Sequence, residues 1–299
     1  MKYLLILSIF LIISISMCVD LPFDLPVDLP FGDATTSEKP GEFIIDQGSP
    51  DLYLRVQTIP LVVKTGRMLT LVSEIRNKNN FKLTNIDVEA YDRCIFSGDS
   101  YSHSPDGNSL SPNETDLWRW EWTAGETDLE KTCEIKIMAQ YDGLYSLSQD
   151  IVVLSDGEYR IKEVEGTLNS VPIQQHSSNN PFSITLTFPE SQPLRSNTPE
   201  YTMYIDYYTT GVGFVEVNDG NITIEVPGNI DSMECEDYIS VPGGLELNKD
   251  LRFINNKAVR TVCNFKTDIA DGPLDIKSLY ITVNYRYTLD NSVSVKVTP

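Results

Sequence analysis

The sequence predicts an all-β protein: two tandem immunoglobulin-like β-sandwiches after a signal or lipoprotein segment and an extended linker. Three observations carry this. Runs of period-2 alternation, bounded by Gly, Pro, Asn or Asp, follow one another from residue 52 to the end. The composition favours strand formers, with 15 Tyr and 11 Phe beside many Val, Ile and Thr. No segment of useful length shows a helical period.

Residues 1–18, MKYLLILSIFLIISISMC, place one Lys ahead of an apolar run that ends on Cys18. The run is shorter than the ~20 residues of a spanning helix and has the form of a signal-peptide core. A Cys directly after such a core resembles a lipoprotein signal, which makes Cys18 the expected lipidation site. Met17 departs from the small residue usual before that Cys. A cleaved signal with an incidental Cys and an uncleaved anchor are the other two readings. Residues 19–48 then repeat Asp-Leu-Pro at Asp20, Asp24 and Asp28 before a Gly-, Ser-, Thr- and Pro-rich stretch. Proline at every fourth position defeats a helix and biases its neighbours to extended backbone. The segment reads as a semi-rigid stalk.

The first sandwich is expected over 49–155. Its strand-like runs are 52–58, 68–77, 83–91, 117–123, 133–141 and 146–154. In 133–141 the odd positions are apolar: Cys133, Ile135, Ile137, Ala139 and Tyr141. In 83–91 the parity of Ile86, Val88 and Ala90 continues to Cys94, so Cys94 and Cys133 are both expected to face inward and to meet across the core. The second sandwich is expected over 156–299, with runs at 158–164, 182–188, 201–209, 221–226, 258–265, 279–287 and 292–297. The last two, joined by TLDN, read as a terminal hairpin. CEIKIMAQYDGLYSLSQDIVVL and LYITVNYRYTLDNSVSVKV share one pattern, an alternating strand ending in Tyr, a polar turn and a second alternating strand. The boundary between sandwiches is expected at Ser155–Gly157, read as a turn.

Five cysteines leave one over after two pairs. Cys94 with Cys133 and Cys235 with Cys263 give one disulfide per half, and Cys18 remains for another task.

Residues 60–91, PLVVKTGRMLTLVSEIRNKNNFKLTNIDVEAY, resemble the CARDB-type immunoglobulin-like repeats of archaeal and bacterial surface proteins. The matching features are a Gly ahead of a long alternating strand, Asn77 closing that strand, and the NIDVEAY strand after it. The loop and strand of SPNETDLWRWEW extend the likeness to residue 122. The resemblance implies an extracellular sandwich used for display, adhesion or assembly, without catalysis or cofactor.

Trp118, Trp120 and Trp122 fall at i, i+2 and i+4, on one face of a strand. They are either core or an exposed strip for sugar rings or a protein partner. Asn113-Glu-Thr and Asn221-Ile-Thr are glycosylation sequons. The polar loop 103–116 carries scattered oxygen donors but no EF-hand spacing, and no metal site is assigned. Tyr201, Tyr204, Tyr207 and Tyr208 put aromatics on both faces of one strand. Against 23 Lys and Arg stand 43 Asp and Glu, a net charge of −20 that repels nucleic acid. Two histidines, and no GxSxG, HExxH or P-loop motif, leave no catalytic constellation. The expected protein is exported and attached to the membrane at its N-terminus. It is non-catalytic, and its partner is another surface protein or a glycan.

Overall fold

The computed structural model describes residues 52–79, 81–178, 181–196, 198, 200–268 and 272–299. The signal segment with Cys18 and the stalk at 19–48 lie outside them. The strands of the first half are β1 (Leu52–Ile59), β2 (Val62–Lys64), β3 (Met68–Asn77), β4 (Leu83–Asp92), β5 (Phe96–Ser97), β6 (Ser102–His103), β7 (Ser109–Leu110), β8 (Thr115–Ala124) and β9 (Lys131–Leu154). Helix α1 (Asp156–Glu165) follows. The second half holds β10 (Gln175–Ser177), β11 (Phe182–Thr187), β12 (Leu194–Arg195), β13 (Tyr201–Thr209), β14 (Phe214–Glu216), β15 (Ile222–Glu225), β16 (Ile230–Cys235), β17 (Tyr238–Val241), β18 (Gly244–Leu247), β19 (Thr261–Thr267) and β20 (Leu274–Thr298).

The all-β sandwich class is as the alternation predicts, but the two halves are not beads on a string. All the described residues belong to one compact unit. β9 and β20 pair antiparallel along their whole lengths, from Leu274 with Leu154 to Val297 with Lys131. This ladder is the spine of a 12-stranded sheet. Two four-stranded sheets, β1-β3-β8-β5 and β11-β13-β19-β16, cover it. The side of the spine they cover is the odd-numbered one. Asn291 donates its side-chain amide to the Leu54 carbonyl of the first small sheet (2.9 Å), and Tyr145 accepts from the Ile184 amide of the second (3.2 Å). Two sandwiches therefore share one backing sheet and one continuous hydrophobic core.

Two expected turns are absent because side-chain phase is never lost. Odd positions 133–153 of β9 are buried throughout, as are odd positions 279–289 and 293–297 of β20. Asp142-Gly143 carries a hairpin signature, yet each residue has a use inside the ladder. Asp142 faces Arg286 and pairs with it (Nε–Oδ1 2.9 Å). Gly143 lies opposite Tyr285, and a Cβ at Gly143 would overlap the Tyr285 ring. A cross-strand aromatic thus fills the space that glycine leaves. In the second expected turn, Leu289 is buried opposite Ala139 and Asn291 makes its bond to Leu54. The two segments whose patterns match are each single strands, and they pair with each other.

The run at 158–164 is helix, not strand. Ser155 caps it, accepting from the Glu158 amide, so Ser155-Asp-Gly-Glu158 is the start of a helix rather than a turn. Glu158 pairs with Lys162 one turn on (3.3 Å). Gly166, left-handed at φ 70°, closes the end, and the Thr167 amide donates to Lys162 O. No α1 residue is buried, so the helix has no apolar stripe from which its period could be read.

Both cysteine pairs form, but neither crosses a core between sheets. Cys94 is exposed in a left-handed turn (φ 55°) just past β4, and Cys133 is buried on β9, the strand next to β4. A register irregularity between Ala90 and Asp92 breaks the parity that would have carried Cys94 inward. Cys235 and Cys263 are register partners on β16 and β19, with Cα atoms 4.0 Å apart.

Replacing Gly143 by Ala is expected to cost about 3 kcal/mol through overpacking. Combining it with Tyr285→Leu should restore part of the loss, and a double-mutant cycle by urea denaturation measures the coupling. Removing the second disulfide with Cys235→Ala and Cys263→Ala, which opens a loop of sequence separation 28, should cost about 3–4 kcal/mol in the same assay.

Candidate functional site

The tryptophan strip comes apart in the fold. All three residues lie on β8, which pairs with β3. Trp120 and Trp122 are 2% and 1% exposed, and the Trp122 indole N–H donates to Ser100 O (3.0 Å). Arg119 and Glu121 between them face water. Trp118 alone is open, at 39% exposure. Its ring stacks on His103 with centroids 4.0 Å apart and planes 4° from parallel, and His103 Nε2 lies 2.6 Å from Asp116 Oδ2. A platform of three indoles does not exist. Two of them are core, and the third is already stacked.

The sequons occupy different settings. Asn113 is exposed in a left-handed turn (φ 62°). That turn is braced by Glu114, whose carboxylate accepts from the Ser111 amide (2.6 Å), and hydrogen bonding from Ser111, with Lys82 nearby, holds the Glu114 carboxyl below its usual range. Asn221 is half-buried just ahead of β15, with its amide bonded to Asn218 O and its carbonyl to the Asn284 amide. Among the described residues, no three His, Cys, Asp or Glu gather as a metal site, in the 103–116 loop or elsewhere. Of the clustered tyrosines, Tyr201 and Tyr207 are core, while Tyr204 and Tyr208 lie under Arg260 and Lys257. The Tyr207 hydroxyl meets those of Tyr238 (2.8 Å) and Thr261 (3.1 Å), and burial pushes its pKa up to about 12.

A concavity lies elsewhere, on the spine. β4 leaves β9 at Thr84 opposite Asp142, and the β10 side meets β9 again at Ser146, where the Ser178 amide donates to Ser146 O (2.9 Å) and the Ser146 amide to Ser178 Oγ (3.0 Å). On the other side, β15 leaves β20 at Val283 and β14 joins it at Arg286. Where the flanking strands change over, a cleft of about 770 Å³ opens. Even-numbered side chains of the spine, Asp142, Leu144, Ser146, Asn284 and Arg286, line it. Its walls include Phe81, Lys82 and Thr84 on one flank, and Ser178, Asn218 and Asn221 from the second half. Its volume falls within the range of roughly 300–1,000 Å³ typical of ligand pockets.

Two features set the cleft's chemistry. Asp142 is neutralised in place: Arg286 pairs with it and the Asn85 amide donates to it (2.6 Å), while the guanidinium is held above its usual value by Asp142. The floor therefore holds an internally compensated ion pair. Amides and hydroxyls supply most of the other polar groups, beside the 51% exposed Leu144. The Phe81 wall is fixed from beneath by Asn77, fully buried, whose amide donates to Phe81 O (2.8 Å) and Leu110 O (3.0 Å). Its Oδ1 accepts from the Asn79 amide (2.8 Å). Of the candidate site residues that the sequence singles out, only Asn221 belongs to this cleft.

No family model matches the chain, and no curated protein matches it. Among solved structures, the secreted serine protease VesC from Vibrio cholerae is similar at 11% identity and a TM-score of 0.21, over 76% of this chain. The chain spans 48% of the length of that protein. The Fcho1 Mu homology domain of Danio rerio, solved with a bound Eps15 peptide, aligns at 9% identity and 0.22, covering 77% of this chain and 89% of that one. The collagen adhesin CNA of S. aureus aligns at 9% and 0.14, over 84% and 92%. TM-scores at this level do not establish a common fold.

Because Trp118 is the exposed indole and His103 covers one of its faces, His103→Ala should raise acrylamide quenching of the native fluorescence. Trp118→Phe should reduce quenching to a small residual, leaving the emission of Trp120 and Trp122. Equal quenching of all three forms would contradict the stacking.

Proposed function

We propose that the protein works outside the cytoplasm as a non-catalytic surface protein, attached to the membrane by its N-terminal segment and used for display, adhesion or assembly. The observation that carries this is the pair of disulfides in one compact unit, Cys94–Cys133 and Cys235–Cys263, which suit a chain that matures in an oxidising compartment. The apolar run ending on Cys18 supplies the means of export and of anchoring, and the Asp-Leu-Pro stalk supplies distance from the bilayer. The resemblance of residues 60–122 to CARDB-type repeats points the same way. A net charge of −20 suits an extracellular face and disfavours nucleic acid as a partner. The non-catalytic reading is supported by the cleft, where the carboxylate on the floor is engaged by Arg286 and Asn85 rather than free to act as a general base. Another surface protein or a glycan is the partner class this reading implies.

Intact mass of the native protein from its own membrane fraction, with and without reductant, tests the reading. A species beginning at Cys18 with added acyl mass, gaining two hydrogens per disulfide on reduction, is the expected result. A species beginning at Met1 with no reducible bond would overturn export and leave the first segment as an uncleaved anchor.

A further inference from the structure

We propose that the cleft at the middle of the β9–β20 spine binds a neutral saccharide. The inference concerns the folded sheets and stands whether or not the chain is anchored.

Charge argues first. An ionic ligand needs a site with an unspent opposite charge, but the Asp142 carboxylate and the Arg286 guanidinium already neutralise each other on the floor (2.9 Å). Lys82, the remaining cation of the lining, is an exposed side chain, where a single charge in water adds little to binding. Solvation argues next. A purely apolar ligand gains from an enclosed, greasy pocket, whereas this cleft presents the amides of Asn218, Asn221 and Asn284 and the hydroxyls of Thr84, Ser146 and Ser178. Such groups both donate and accept, which is what a ring of alternating hydroxyls requires. Leu144 stands on the same floor beside Asn284 and gives an apolar spot for the C–H face of a sugar ring. The cleft is also built rather than incidental. Four strands end or begin around it, and buried Asn77 holds its Phe81 wall.

The sugar has two sources of the same chemistry. It comes from outside, on a partner or free, or it is carried by Asn221, whose sequon places an attachment point in the cleft lining itself. Thr223→Val separates these. It abolishes the sequon without altering a lining residue, and it keeps a β-branched side chain in β15.

The experiment uses the full chain, produced once in an oxidising host without N-glycosylation and once in a glycosylating host. An array of neutral hexose and N-acetylhexosamine oligosaccharides, with acidic ones as contrast, is the probe, followed by calorimetric titration. Unglycosylated wild type and Thr223→Val should both bind a neutral member of the array. Leu144→Arg and Asn284→Ala alter positions on the floor, and each should weaken binding at least about tenfold. Trp118→Ala, away from the cleft, should leave it unchanged. Disulfide mass and denaturation midpoint confirm that each variant is folded. From the glycosylating host, binding by Thr223→Val but not by wild type would identify the protein's own glycan as the occupant. Equal binding by both would assign the site to an external saccharide. The proposal fails if neither unglycosylated protein binds any neutral saccharide, or if both floor variants bind as wild type does.

Discussion

The odd-numbered side chains of β9 and β20 hold one phase along a ladder of two dozen residue pairs, and the rest of the architecture is fitted to that phase. A slip of one residue would turn every buried Ile, Val and Tyr of the spine to water. Fully burying such a side chain is worth roughly 1.5–3 kcal/mol, so even a handful of misplaced residues is comparable to the whole stability typical of a domain, about 5–15 kcal/mol. Register is therefore strongly specified. It is specified twice over at the centre, where the Tyr285 ring needs Gly143 opposite it and Arg286 needs Asp142.

The shared spine explains why one core serves both halves. Each four-stranded sheet alone has one apolar face and nothing to cover it. The spine offers a long continuous face, and the small sheets take one end each through Leu54 and Ile184. The disulfides then tie strands to neighbours within their own sheets. They act on strand order and sheet edges, while the joining of layers is left to packing.

Much of the strand content is legible in the sequence. β3 and β13 coincide with the alternating runs at 68–77 and 201–209, because each has one buried and one solvent-facing side and turn residues around it. Both disulfide pairings follow from the even division of the cysteines between the halves. The failures share a cause: local signals are outweighed by distant partners. Asp142-Gly143 is a turn signal until Tyr285 and Arg286 lie across from it. Cys94 looks inward until the irregularity after Ala90 turns the chain. α1 escapes because an exposed helix needs no apolar stripe, although its Ser155–Glu158 cap is written plainly. Of the cleft, only Asn221 draws attention in the sequence. Asn218, Asn284, Asp142 and Arg286 converge only once the register of strands from opposite halves of the chain is known.

The spine also dictates an order of events. β20 is synthesised after every other described strand, yet it lies at the centre of the largest sheet and is the partner of β9. Until it arrives, β9 has no ladder on that side and the shared core has no completed backing. Such distant pairings close large loops and are slow to form. The shared sheet therefore stays incomplete until β20 has been made, a state open to strand-mediated association if it is prolonged.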